Sequence, residues 1–307
     1  LDWSIGTANT DAGAQALLGG TRLPNPISIG NDPALLDTDI GNTGTAGLWF
    51  YEMRGGTLPG VEFADGLVLT GTRQNDVLDG AGQGDMIRGL DGADILRGND
   101  GADWLYGGDG ADTLNAGAGD DFIFGGTTEG DLRDVVYAGD GADQVDGGYG
   151  NDQIYGGAGN DTINGGFGAD ELVGQGGDDQ LSGAALSDLI FGGDGFDFIN
   201  GGFGHDRLNG GDGGDRFFHL GIFDHGSDWI QDYDQAEADL LIWGGANATA
   251  NDFQLNLADT ANAGINGVSE VFVIYRPTGQ IIWALVDGAV EDHINLRMNG
   301  ETFDLMG

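Results

Sequence analysis

Gly147-Gly148-Tyr149-Gly150-Asn151-Asp152-Gln153-Ile154-Tyr155 runs directly into Gly156-Gly157-Ala158-Gly159-Asn160-Asp161-Thr162-Ile163-Asn164. The second nine residues repeat the first: paired glycines, a third glycine at the fourth place, Asp at the sixth and an apolar residue at the eighth. Working outward, the sixth-place Asp recurs at Asp76, Asp85, Asp94, Asp103, Asp112 and Asp121. After a four-residue insertion it resumes at Asp134, Asp143, Asp152, Asp161, Asp170, Asp179, Asp188, Asp197, Asp206 and Asp215. The eighth place tests this register independently. It reads Leu78, Ile87, Leu96, Leu105, Leu114, Ile123, Val136, Val145, Ile154, Ile163, Leu172, Leu181, Ile190, Ile199, Leu208 and Phe217, apolar in every unit. A repeat of this kind implies stacked coils, because each unit can bury its apolar face only against its neighbours.

The chemistry of the repeat points to a hard cation. Glycine-crowded turns let the backbone reach conformations closed to other residues and bring carbonyl oxygens together. Calcium takes six to eight oxygens at about 2.3–2.6 Å, more than one such loop supplies. The nonapeptides resemble RTX calcium-binding repeats, which implies that two of them complete one coil; loops 18 residues apart then stack at about the 4.8 Å spacing of strands, so an ion between them can draw on both. Pairs such as Asp94/Asp112, Asp152/Asp170 and Asp143/Asp161 are expected to sandwich one ion each. The expected metal positions are Asp76, Asp85, Asp94, Asp103, Asp112, Asp121, Asp134, Asp143, Asp152, Asp161, Asp170, Asp179, Asp197, Asp206 and Asp215. With them come the loop glycines Gly108, Gly110, Gly148, Gly150, Gly157, Gly159, Gly166, Gly168, Gly193, Gly195, Gly202 and Gly204. Two columns of eight loops leave at most 14 gaps. Fourteen ions of charge +2 would bring the formal charge from −41 to −13. The apolar eighth places make a thin core, and bare Asp rows repel one another, so the coil is expected to fold only when calcium binds.

The pattern G-G-x-G-x-D-x-U-x resembles the RTX (repeats-in-toxin, hemolysin-type) calcium-binding repeats. That resemblance implies an all-β fold: a right-handed parallel β-roll solenoid with β-rich caps at both ends. Each nonapeptide is then a turn of six residues and a strand of three, two nonapeptides complete one coil, and successive repeats lie on opposite faces. Some units depart from the pattern. The fourth-place glycine is replaced by Gln74, Gln83, Leu132 and Leu186, and the unit Gly183-Ala184-Ala185-Leu186-Ser187-Asp188 keeps little besides its Asp and Ile190. Loops near Leu132 and Leu186 are therefore expected to bind calcium poorly or not at all.

Composition agrees with this reading and excludes others. The 307 residues include 63 Gly, and 51 acidic residues face 10 basic ones. Only eight of the acids are Glu, and net acidity cannot explain that preference, whereas turn chemistry and short oxygen ligands can. Nucleic acid and anionic membrane surfaces would be repelled by such a surface. The longest apolar run, Ile281–Val286, is far too short to span a bilayer. Disorder is argued against by 39% hydrophobic and 9% aromatic residues. The absence of Cys removes disulfides and thiolate chemistry and suits a secreted bacterial protein. The first residue is Leu1 and no signal peptide follows, so the chain is expected to be a piece of a longer protein.

The flanks divide the chain. Residues 71–218 form the roll, 61–70 an entry strand, 219–307 a C-terminal cap and 1–60 the end of an upstream β domain. In the cap, Asp228-Trp229-Ile230-Gln231-Asp232-Tyr233 and Asp239-Leu240-Leu241-Ile242 resemble the segment that closes RTX rolls, and the family resemblance places a type I secretion signal near the C-terminus. Val271–Tyr275 and Ile281–Val286 are expected to pair as a hairpin around Arg276-Pro277-Thr278-Gly279. Leu1-Asp2-Trp3-Ser4-Ile5-Gly6 and Gly47-Leu48-Trp49-Phe50-Tyr51-Glu52-Met53-Arg54-Gly55-Gly56 resemble the closing half of nidogen-like domains; an unspecialised β cap is the other reading.

No catalytic motif stands out. His205, His219, His225 and His293 form no H-E-x-x-H, and Gly267-Val268-Ser269-Glu270 lacks the last glycine of a nucleophile elbow. Carboxylates are too abundant for their spacing to indicate glycosidase chemistry. The expected function is a non-enzymatic, calcium-folded structural and export module. It would belong to a secreted or cell-surface bacterial protein, an adhesin or a lattice component, with calcium and a type I secretion apparatus as partners. The alternative is the non-catalytic tail of an extracellular hydrolase, as in serralysin-type proteases and some lipases. Ice binding would need a regular Thr or Asx row, and third places reading Arg73, Gly82, Asp91, Asp100, Asp109 and Ala118 offer no Thr row. One column of third places reads Tyr149, Phe167, Ala185 and Phe203. It is expected to make an aromatic strip, stacked within the molecule or docking a glycan or a second copy.

Overall fold

The computed structural model describes residues 49–58, 61–222, 225–261 and 263–307, with side chains from residue 66 onward. The nidogen-like reading of Leu1–Gly6 and Gly47–Gly56 lies outside the described residues, apart from the backbone of part of the strand Trp49–Leu58. That strand pairs antiparallel with Val61–Thr70.

Alternate repeats go to opposite sheets. Gln144–Tyr149, Thr162–Phe167 and Gln180–Ala185 lie in a 13-stranded sheet, while Gln153–Ala158, Glu171–Gly176 and Leu189–Asp194 lie in a 12-stranded one. Within the roll every neighbour is parallel and 18 residues away, as in Ile154↔Leu172 and Ile163↔Leu181, except across the four-residue insertion. One coil is therefore two nonapeptides. All sixteen eighth-place side chains are at most 4% exposed and meet between the sheets in one continuous core.

The strands are longer than the pattern implies. Most run six residues rather than three, because pairing continues through the glycine pair, as in Gly148↔Gly166 and Tyr149↔Phe167. A glycine pair has no side chain to bury, yet its backbone still stacks on the coil below, and only the fourth to sixth places turn. Seventh and ninth places face outward, where Trp104 packs on Phe122 (4.9 Å between ring centres), Tyr106 on Phe124 (5.0 Å) and Tyr137 on Tyr155 (5.2 Å). Stacking along the roll follows from the coil repeat, which sets identical places about one strand spacing apart.

Parallel pairing does not stop where the nine-residue period stops. Asp228–Ile230 pairs with Arg207–Asp212, and Leu240–Trp243 with Arg216–His219. The expected hairpin forms as Glu270–Tyr275 against Gln280–Leu285, and Phe253–Ala258 adds a third strand. Its last strand lies parallel to Asp228–Ile230, so the hairpin extends the sheet rather than sitting across its end. Trp283, Val271, Val273 and Leu285 continue the core of the roll without a break.

The unit around Leu186 carries local strain. Ala184 (φ 74°) and Leu186 (φ 86°) occupy the left-handed conformations that glycine takes in intact repeats. The adjacent bond from the Gly168 amide to the Ala185 carbonyl is 3.3 Å, against 2.8 Å for Gly195 to Asp212. Leu186 is 63% exposed, so its side chain gains little by burial. Left-handed backbone costs an L-residue roughly 1–2 kcal/mol, so Leu186→Gly should stabilise the fold by about 1 kcal/mol after the added flexibility of the unfolded chain. Denaturant unfolding at saturating calcium measures this, and an unchanged or lowered stability contradicts it.

Candidate metal centre

The turns stack into two columns of buried carboxylates. In one, the backbone amides of Asp76, Asp94, Asp112, Asp134, Asp152, Asp170 and Asp188 each donate to Oδ1 of the next Asp up the column, ending at Asp206. In the other, the same bond links Asp85, Asp103, Asp121, Asp143, Asp161, Asp179, Asp197 and Asp215, and Asp215 donates to Asp239. These bonds span 2.6–2.9 Å, and every predicted Asp is at most 8% exposed. One oxygen of each carboxylate is thus spent holding the coils in register.

The other oxygen is not spent. Among the described residues, Oδ2 of Asp94, Asp103, Asp112, Asp121, Asp134, Asp143, Asp152, Asp161, Asp170, Asp179, Asp188, Asp197, Asp206 and Asp215 is buried without a hydrogen-bond partner. A buried carboxylate oxygen left unpaired costs the full desolvation of that group, so rows of them require a cation or a proton. Glycine carbonyls place further oxygens between the coils. Gly157 (φ 116°) and Gly159 (φ 126°) hold backbone shapes that other residues rarely adopt. A Cβ on either would stand 1.9 Å from the carbonyl oxygen of Gly139 or Gly141 in the coil below. Carbonyls from the second and fourth places therefore project into the gap between coils, beside the carboxylates. Gly108, Gly110, Gly148, Gly150, Gly166, Gly168, Gly193, Gly195, Gly202 and Gly204 repeat this arrangement with positive φ.

A family model of the RTX calcium-binding nonapeptide repeat matches residues 68–96, 97–127, 130–163, 146–181, 155–190 and 182–217. The chain carries an RTX calcium-binding β-roll. No curated protein matches it as a relative. The RTX repeats bind calcium ions, and the donor set fits that ion. No cluster of three or more His, Asp or Glu side chains at metal-holding spacing occurs among the described residues. A site in the roll must therefore combine carboxylates with backbone carbonyls, which suits a hard, flexible-coordination cation and not one that needs imidazole or thiolate.

Electrostatics of the RTX roll show what the cation offsets. Burial pushes Asp94 up to about 7, Asp121 and Asp152 to about 8 and Asp134 to about 9, with neighbouring Asp charges adding to the rise. Asp161 and Asp170 rise to about 6, chiefly through burial. In every case the backbone amide donated by the Asp below pulls the other way.

Three further carboxylates join the columns. Asp188 keeps its place, 3% exposed with Oδ2 unpartnered, although Ala184 and Leu186 stand where the pattern has its second- and fourth-place glycines. Asp239 caps one column at a separation of 24 residues. Asp228 lies beyond Asp206 in the other, fully buried and raised well above the ordinary carboxylate range by burial and by the Asp206 charge. The period alone misses Asp228 and Asp239, since their spacing is not 18. The signal that finds them is the triplet Asp, any residue, apolar: Asp228-Trp229-Ile230 and Asp239-Leu240-Leu241, with Ile230 and Leu241 fully buried. The third-place aromatics lie where the register puts them. Tyr149 stacks on Phe167 at 4.8 Å, Ala185 interrupts the row, and Phe203 packs on His225 at 4.4 Å.

Proposed function

We propose that this chain is a calcium-folded structural and export module of a secreted or cell-surface bacterial protein, without catalysis of its own. The observation that carries the reading is the double column of buried, unpartnered carboxylate oxygens. Ions between successive coils would be held by the Asp carboxylates of both coils and by the second- and fourth-place carbonyls, from Asp76 and Asp85 up to Asp215. Asp188, Asp228 and Asp239 extend that assignment, and Asp228 and Asp239 each add one gap to the 14. The calcium would cancel the repulsion along each column and satisfy the unpaired oxygens, locking coil upon coil. Where calcium is scarce, the same chain stays extended and can be threaded through a type I secretion apparatus; in millimolar extracellular calcium it folds. Among the described residues no helix is long and apolar enough to cross a membrane.

Asp161→Ala tests the ligand assignment. Asp161 borders two gaps, toward Asp143 and toward Asp179. Equilibrium dialysis should find calcium lost from both and a higher calcium midpoint for folding, while Asp146→Ala, an exposed ninth-place change, leaves both quantities alone. Equal calcium content in the two variants would remove Asp161 from the ligands.

A further inference from the structure

The four-residue insertion was expected to spoil a calcium loop; its geometry points the other way. In an intact repeat one outward residue separates the second- and fourth-place glycines. Here Gly126 and Leu132 hold those places, and residues 127–131 take the place of the single residue between them. The fourth place itself survives, because the Leu132 amide donates to Gly110 at 2.7 Å, and a Cβ on Gly150 would stand 1.8 Å from the Leu132 carbonyl oxygen.

The added residues fold back over the roll. The Thr128 hydroxyl donates to Asp109 in the coil below, and the Asp131 amide donates to the Thr128 carbonyl at 3.1 Å. This turn drives Asp131 inward until it is 4% exposed. Its Oδ1 accepts from the Leu132 amide at 2.9 Å, and its Oδ2 is buried with no partner. The direction of that oxygen follows from Gly126. A Cβ built there would lie 2.2 Å from the Gly108 carbonyl oxygen and 2.3 Å from Asp131 Oδ2. The corresponding glycines of intact repeats, Gly139 and Gly157, meet only the backbone of the coil below. Asp131 Oδ2 therefore stands beside Gly108 O, in the gap that Asp112 and Asp134 flank. Both of these are at most 1% exposed, and each has its own unpartnered Oδ2.

We propose that Asp131 is a third carboxylate ligand in the Asp112/Asp134 gap, where the three carboxylates stand outside metal-holding spacing until an ion draws them together, and that it makes this gap the tightest calcium site of the roll. Calcium affinity rises with the number of charged ligands and with the rigidity of the loop that holds them. This gap has one more buried carboxylate than a regular one, and the Thr128–Asp109 bond clamps the loop that supplies it. The insertion is then a ligand-supplying loop placed where the regular repeat is interrupted. The inference rests on calcium occupying the carboxylate columns.

The test starts from the calcium-loaded full chain and measures bound calcium per chain against free calcium, set by a chelator. The wild type should retain one ion at free calcium about tenfold below that which empties the rest. Asp131→Asn should lose this ion while the remaining isotherm stays in place. Replacing Thr127–Asp131 by one Gly restores the nine-residue spacing and should have the same effect; it decides the matter if Asp131→Asn does not fold. Retention of the tight ion in the folded variant overturns the proposal. So does a wild type whose ions all leave together, the outcome expected if Asp131 is merely protonated and donates to the Gly108 carbonyl. A wild type that binds no calcium brings down the calcium reading of the columns and this proposal with it, whereas ordinary binding without a tight ion brings down this proposal alone.

Discussion

In excess chelator at neutral pH the chain is expected to lose its β structure altogether, and to regain it cooperatively as calcium rises toward about a millimolar, the range of extracellular calcium modules. The reason is a balance of terms within each coil. A nonapeptide contributes one fully buried apolar side chain, such as Ile154 or Ile163, together with one buried carboxylate. Two like charges about one strand spacing apart repel by about 1–4 kcal/mol at water-like to surface-like screening, and each column stacks such contacts end to end. The formal charge of −41 adds long-range repulsion throughout. An ion in each gap turns this repulsion into attraction and occupies the oxygens that have no other partner. Circular dichroism during a calcium titration reads the transition. A β spectrum that persists unchanged in chelator would show the apolar core to be sufficient alone, and the reading would fail.

Acid should partly replace the ion. A carboxyl whose folded pKa lies above its unfolded value stabilises the fold fully below the unfolded value, and that contribution is lost as pH rises through the folded one. Asp94 rises to about 7, Asp152 to about 8 and Asp161 to about 6, all from an ordinary value of 3.8. The window is thus from about 4 to about 8. Without calcium, the roll should be least stable at pH 8 and gain stability steadily down to pH 5, because a protonated carboxyl can be buried without charge. The calcium needed to fill the gaps should rise over the same interval, as protons compete for the same oxygens. Stability in chelator, read as the β structure recovered by circular dichroism from pH 8 down to pH 5, kept above the pI near 4.1, gives the slope. A stability that increases with pH over that range would contradict the burial of these groups.

Much of this architecture is legible in the sequence, and the reason is its shortness of range. A nine-residue period with an apolar eighth place can bury its core only by stacking, and the resemblance to RTX repeats adds that two units close one coil, which implies two sheets, an 18-residue register and two columns of Asp. The same logic sets Tyr149 over Phe167, which stack in the folded chain. Strand length was not legible, since glycine pairs look like turn and yet pair as strand. The hairpin Glu270–Tyr275 with Gln280–Leu285 was readable as local alternation, but its parallel attachment to Asp228–Ile230 was not.

By itself the sequence determined the repeat, the coil and the kind of ion, because each is a property of one nonapeptide and its nearest copies. Only the tertiary structure decided where the columns end and what the insertion does. Asp239 and Asp131 join carboxylates far off the regular spacing, since a coil closes through hydrogen bonds between stacked backbones, which fix the Asp amide and its acceptor but leave the intervening chain free to bulge outward. A periodic reading counts residues along the chain; the metal gap is defined by distance across it.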